Sequence, residues 1–273
     1  MTSDLSAEAI LHDLGTTVVG SAAEHYPQLG STNDLARERA RAGQPEGLAI
    51  VADEQTSGRG RLGRGWAAPP GSSLLLSLLL RPTWLAPADA FALTMLAGVA
   101  LCEAVEQATP LRPALKWPND LLLPHPGSGG PELRKAAGVL SEIELTGGSI
   151  DWLVLGMGVN VNWSPSGIVD GRDLGALATS VGTALGGSAD RLALLRALLQ
   201  RLDAGYLALR AGQRNALFAS WRARLATLGQ HVGVRLPAGE LRGIAEDVEP
   251  TGALLVRDAS GVLHSVLAGD IGA

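Results

Sequence analysis

The residues best suited to chemistry lie in Gly58-Arg59-Gly60-Arg61-Leu62-Gly63-Arg64-Gly65-Trp66, directly after Asp53-Glu54-Gln55-Thr56-Ser57. Glycine lets the backbone approach a ligand closely and reach positive φ, so that neighbouring N–H groups can converge. Arginine adds a planar fork of donors that matches carboxylate and phosphate oxygens. Three arginines and four glycines within nine residues therefore describe either a loop that encloses an anion or a solvated basic loop of the kind that touches RNA. It is not a Walker loop, because no Gly-Lys-Ser/Thr follows it.

Three further stretches follow in order: Lys116-Trp117-Pro118-Asn119-Asp120, Lys135-Ala136-Ala137-Gly138-Val139-Leu140-Ser141-Glu142, and Leu155-Gly156-Met157-Gly158-Val159-Asn160-Val161-Asn162. With the arginine loop, this ordered set resembles the biotin–protein ligases over residues 31–162. That resemblance implies an ATP-dependent ligase that activates biotin as biotinyl-5′-AMP and transfers it to a lysine of a biotin carboxyl carrier domain. The carrier would belong to an acyl-CoA or pyruvate carboxylase. ATP and biotin would be the substrates, with Mg²⁺ arriving largely on the nucleotide. Only thirty residues precede Ser31, too few for the winged-helix operator-binding module of longer relatives, so a ligase without repressor function is expected.

The resemblance also carries roles to individual residues. Lys135 is the expected catalytic residue, its ammonium lying between the biotin carboxylate and the α-phosphate. Read from spacing alone, it is an exposed strand-end lysine closing Glu132-Leu133-Arg134-Lys135, and the resemblance reverses that reading. Arg61 is the second catalytic candidate, clamping adenylate and pyrophosphate oxygens as the loop closes. Biotin would be bound by Ser31, Thr32, Asn33 and Gln55 at its ureido ring, by Gly58, Arg59, Gly60 and Arg61 of the loop, and beside Lys135 and Gly138. A neutral ureido group needs both donors and acceptors, which hydroxyl and amide side chains supply. Ser31 or Thr32 could instead simply cap a helix. ATP would meet Arg59, Arg61, Arg64, Trp66, Asn119, Asp120, Lys135 and, at adenine, Asn160. Asp120 is the one candidate contact to Mg²⁺. Trp117 is assigned to packing. Leu62 stands where many relatives carry a basic residue, which weakens any claim that the whole loop grips phosphate.

These groups need a scaffold, and the composition can provide one. Hydrophobic residues make up 46% and charged residues 18% of 273 positions, enough for a substantial core. A net charge of −5 argues against a nucleic-acid-coating protein, which would need an extended basic face. The single cysteine, Cys102, excludes an internal disulfide and reads as a buried thiol. The five histidines show no metal-ligand spacing. With no signal-peptide pattern and no apolar run near membrane-spanning length, a cytoplasmic protein is expected, without nucleic-acid or membrane partners, as a monomer or weak homodimer.

The elements expected are a short helix or arm before residue 20, a helix from about residue 33 to 43, strands at 48–52 and 72–80, and a helix at 87–108. Strand runs at 113–123, 136–146 and 151–162 form an antiparallel meander joined by turns at 124–131 and 146–149. Helices are expected at 190–211 and 213–228, and short glycine-separated strands follow residue 229. The fold class is α+β: a central mixed or antiparallel sheet packed with helices, similar to class II synthetases, over residues 1–228, with an SH3-like barrel over 229–273. Lipoyl–protein ligases are the enzymatic alternative, since they share the adenylation logic. An RNA-binding arginine/glycine module is the non-enzymatic one.

Overall fold

A computed structural model describes residues 4–126, 132–169, 171–236 and 239–271. In chain order its first elements are α1 (Ala7–Leu11), β1 (Ala22–Tyr26), α2 (Thr32–Arg41), β2 (Leu48–Ala52), β3 (Ser73–Leu80) and α3 (Phe91–Ala108). Then come β4 (Ala114–Lys116), β5 (Asp120–His125), β6 (Glu132–Thr146) and β7 (Ser149–Asn160). The hairpin β8 (Ile168–Val169) and β9 (Arg172–Asp173) leads into α4 (Leu174–Leu177), α5 (Val181–Leu185), α6 (Arg191–Arg210) and α7 (Arg214–Ala223). The chain finishes with β10 (His231–Leu236), β11 (Gly239–Val248), β12 (Leu254–Arg257), β13 (Leu263–Val266) and β14 (Asp270–Ile271).

Strands β1 to β7 form one sheet in the order β1-β2-β3-β7-β6-β5-β4. Only β1 and β2 are parallel, and α2 supplies the crossover such a pair requires. The remaining neighbours are antiparallel, so the expected β5–β6–β7 meander is present. The sheet is therefore mixed, and β10–β14 form a separate five-stranded antiparallel sheet in the order β13-β12-β11-β10-β14, consistent with an SH3-like barrel.

One face of the large sheet carries the core. Leu74, Leu76, Leu78 and Leu80 alternate along β3 and meet Val139, Leu155, Met157 and Val159 beneath α3 and α6. At about 1.5–3 kcal/mol per fully buried aliphatic side chain, this face supplies much of the stabilisation. The opposite side of β3 adds Leu79, which packs with Ile50, Val154, Ala36 and Ala40 under α2. That second contact explains why β3 is apolar on both faces.

Four expectations need correction. The run 113–123 is two strands, because the turn at Trp117-Pro118-Asn119 folds β4 back on β5. The helix expected from 87 begins at Phe91 after a 3-10 turn at Pro87–Asp89, and the one expected to reach 228 stops at Ala223. Pro87–Ala108 does have the length and hydropathy to cross a membrane, contrary to the reading above. Here those residues form the buried helix between sheet and bundle, with Leu93, Ala97, Leu101 and Val105 in the core. Cys102 is also buried there, and burial pushes its thiol up to about 12, which suits packing rather than nucleophilic chemistry. The turn at 124–131 falls largely outside the described residues.

Candidate active site

Side chains two apart on a strand share a face, so Gly156, Gly158 and Asn160 of β7 form a row spanning about 13 Å. The two glycines leave that floor bare, and other elements use the space. A Cβ on Gly156 would lie 2.1 Å from Asn33 Oδ1, and one on Gly158 would lie 2.4 Å from the Trp66 ring. Gly138 is the register partner of Gly158, and its missing Cβ admits Trp66 and the Lys135 ammonium at 3.3–3.4 Å.

At the Gly156 end, the start of α2 is held in a dense polar network. Gln55 Oε1 accepts from the Thr32 backbone N–H at 2.7 Å and lies 3.1 Å from its hydroxyl. Ser77 Oγ donates to Asn33 Oδ1 at 2.6 Å, and Asn33 Nδ2 donates to Glu142 Oε2 at 2.6 Å. These two bonds fix the orientation of the Asn33 amide. Ser31 occupies the N-cap position but its hydroxyl makes no capping bond, so helix capping does not account for it. Ser31, Thr32, Asn33 and Gln55 are thus brought together as expected.

Lys135 reaches the site through a backbone irregularity. Lys135 and Gly138 are three residues apart, which in a regular strand places them on opposite faces. In β6, Ala137 pairs with Leu121 while Lys135 pairs with Leu122, so Ala136 is an extra residue. A bulge of this kind re-aims a side chain. Ala136 and Ala137 both enter the core, and Lys135 emerges on the site face. Its Nζ lies 2.7 Å from Asp120 Oδ1 and 5.6 Å from the Trp66 ring centre. Thr179 links this strand to the end of the row: its N–H donates to Lys135 O at 2.9 Å, and its carbonyl accepts from Asn160 Nδ2 at 3.0 Å. Asn160 Oδ1 and Trp66 Nε1 are both buried without a hydrogen-bond partner among the described residues.

The arginine loop folds as a small hairpin. Trp66 N–H donates to Gly58 O at 2.9 Å and Gly60 N–H to Arg64 O at 2.7 Å, so these donors are spent internally rather than converging on an anion. Each arginine is held by a different element. Arg59 pairs with Asp34 of α2. Arg61 donates to Asn119 Oδ1 at 3.0 Å and to Gly269 O at 3.1 Å. Arg64 donates to Asp270 Oδ1 at 3.0 Å. Leu62 is exposed at the hairpin tip with φ 57°.

These contacts sort the cations. Arg59, Arg64 and Lys135 each have a carboxylate partner, whereas among the described residues Arg61 forms no ion pair and donates only to neutral acceptors. Burial pushes the Arg61 guanidinium down from its ordinary pKa. Lys116 resembles it, with no ion pair or hydrogen bond to a described side chain, and burial likewise lowers its pKa. It sits on the site face as the register partner of Asp120. Two incompletely neutralised cations in one site are suited to an incoming anion.

Among the described residues no cluster of three or more His, Cys, Asp or Glu is arranged for a metal ion, and Asp120 is paired with Lys135. Asn119 is engaged on both sides, since its Nδ2 donates to Val139 O at 2.6 Å. Trp117 is buried, and its indole donates to Gly252 O at 2.8 Å, which joins the large sheet to the C-terminal one in keeping with a packing role. Sequence reasoning missed Asp34, Ser77, Lys116, Glu142, Gly269 and Asp270. Lys116 and Glu142 lay inside motifs already singled out, whereas Gly269 and Asp270 gave no local signal.

A mixed sheet with a bare glycine track, an arginine hairpin across it and a lysine at a bulge is suited to a small anionic substrate rather than to an extended nucleic-acid surface. The signature described as Biotin/lipoate A/B protein ligase family matches residues 26–160, and that of the Biotin protein ligase C terminal domain matches residues 227–271. The Biotin--[acetyl-CoA-carboxylase] ligase of Mycobacterium tuberculosis is 36% identical over 250 residues, covering 89% of this chain and 86% of that protein. The Bifunctional ligase/repressor BirA of Bacillus subtilis is 31% identical over 258 residues, covering 94% and 76% respectively. The biotin protein ligase from Aquifex aeolicus, solved in complex with biotin and ATP, superposes with a TM-score of 0.75 at 26% identity, covering 92% of this chain and 98% of that one. The chain belongs to the biotin protein ligases. It is an enzyme of the ligase class, and the lipoyl-ligase alternative is not favoured.

Proposed function

We propose that the protein joins biotin to a carrier lysine in two steps at the face of β6 and β7. A biotin carboxylate oxygen attacks the α-phosphorus of ATP, forming biotinyl-5′-AMP and releasing pyrophosphate. The deprotonated amine of the carrier lysine then attacks the acyl carbon; the amide bond forms and AMP leaves with the electron pair of the broken C–O bond. The observation that carries this reading is Lys135, delivered by the bulge to the glycine floor beside Trp66 and Asp120. Catalysis of such a transfer rests on positioning and charge neutralisation. Lys135 lowers the repulsion between carboxylate and phosphate, and Arg61 and Lys116 offer incompletely neutralised cations to the phosphate chain.

Ser31, Thr32, Asn33 and Gln55 read the ureido ring at one end of the row. Asn160 Oδ1 and Trp66 Nε1, which lack partners among the described residues, serve the nucleotide at the other. Mg²⁺ arrives with ATP as part of the substrate, and Asp120, beside Lys135, is the carboxylate assigned to it. The acceptor is a biotin carrier domain of an acyl-CoA or pyruvate carboxylase in the cytoplasm. The division into residues 1–228 and 229–273 belongs to this proposal, supported by the separate hydrogen bonding of the two sheets.

The test is radiolabelled ATP–pyrophosphate exchange with biotin or lipoate, followed by mass spectrometry of an added carrier domain. Exchange with biotin alone and one biotin per carrier are expected. Exchange that is absent, or as fast with lipoate, would overturn the assignment.

Arg61→Gly is expected to release adenylate prematurely, because the loop loses its bonds to Asn119 and Gly269 as well as its phosphate contact. Biotin should then appear on serum albumin added as a bystander. Equal, negligible labelling by parent and variant would remove Arg61 from adenylate retention.

A further inference from the structure

The loop arginines are not equivalent, and Arg59 is set apart by what holds it. Its two terminal nitrogens meet both carboxylate oxygens of Asp34, at 2.8 and 2.5 Å, a fork-to-fork pairing that fixes direction as well as distance. Glu142 Oε1 lies 4.0 Å from Arg59 and 3.3 Å from Arg37, and Arg37 also bonds Asp34. Two acids and two arginines from α2, β6 and the loop thus form one charge-balanced cluster. Its members adjoin the biotin-facing network directly. Asp34 follows Asn33 in the first turn of α2, and Glu142 Oε2 accepts from the Asn33 amide.

We infer that Asp34 and Glu142 are positioning residues that tether the arginine loop, through Arg59, to the helix end that reads the ureido ring. This rests on the proposed ligase reading and adds to it a division of labour. Arg61, whose partners among the described residues are all neutral, is available to phosphate, whereas Arg59 is committed to the protein. Seating biotin against Ser31, Thr32 and Asn33 then stiffens the same turn that anchors the loop, so occupation of one end of the track is felt at its cover. The Arg59 guanidinium holds the Asp34 carboxyl below its usual range.

The test measures the dissociation rate of labelled biotin and the KM for ATP in the full-length protein, for Asp34→Asn, Glu142→Gln, Arg59→Gln and the double variant Asp34→Asn/Arg59→Gln. The amide replacements keep size and polarity, and a partly exposed pair is worth at most about 1 kcal/mol, so biotin should leave about two- to fivefold faster in each single variant. ATP KM and melting temperature should stay near parental values in the Asp34 and Glu142 variants. The double variant should be no worse than the worse single one, the sign of two groups acting through each other. Unchanged biotin release in both acid variants, or additive losses in the double variant, would overturn the tether while leaving an active parent's ligase assignment standing. A parent without biotin-dependent exchange would overturn both.

Discussion

Replacing Lys135 by alanine is expected to slow biotin-dependent ATP–pyrophosphate exchange by about 10²–10³-fold, the effect of losing one preorganised charge stabiliser worth about 2.7–4 kcal/mol in the transition state. The fold should survive, because the Lys135–Asp120 pair is partly exposed, at 33% and 22%, and such pairs add little to stability. The loss should lie in kcat for adenylation rather than in biotin affinity, since under the proposed mechanism the ammonium acts on charge that builds during attack. Lys135→Arg should recover little. A planar fork cannot fill the compact seat between Asp120 and the Trp66 face that a single ammonium occupies. Exchange within about threefold of the parent would remove Lys135 from the chemistry.

The second large effect is expected from one added methyl group. Gly158→Ala would set a Cβ 2.4 Å from the Trp66 ring, closer than carbon atoms tolerate, so the indole must leave its cradle. That move takes with it the wall beside Lys135 and shifts the Gly58 end of the hairpin, to which Trp66 is bonded. Overpacking of this kind costs about 1–3 kcal/mol, so nucleotide KM should rise on the order of ten- to a hundredfold. Gly156→Ala provides the contrast. Its Cβ would meet Asn33 at 2.1 Å, so biotin affinity should fall more than nucleotide affinity. Equal effects of the two substitutions on both substrates would show that the track has no separate ends.

The parts of the site that could be read from the sequence are those whose chemistry is local. The Gly/Arg alternation, the Ser31–Asn33 helix start and the strand runs were legible because residue type and spacing carry them. The antiparallel meander followed from apolar runs separated by turns. The partners of the arginines were not legible: Arg61 and Arg64 meet Gly269 and Asp270, 208 and 206 residues away. No periodicity encodes such a pairing, since it arises only when the C-terminal sheet packs beside the large one. For the same reason the sequence gives no sign that Lys116 is without an ion-pair partner among the described residues. The segment 87–108 has the mean hydropathy of a span, yet Asp89, Thr94, Glu103 and Glu106 interrupt it, so no unbroken apolar run marks it in the sequence.

The bulge at Ala136 has a consequence for how this active site can evolve. A strand has parity, and the extra residue reverses it once, so the count of paired residues between Lys135 and Gly138 decides whether the lysine faces substrate or the greasy interior. Alanine at 136 can be exchanged for another small residue without touching that count. Deleting it would leave the lysine two residues from Gly138, still opposite Leu122 and on the same face, so only the bulge would be lost. Straightening the bulge at unchanged length would instead turn the lysine inward, so the constraint on this stretch falls on one residue staying outside the ladder rather than on its identity.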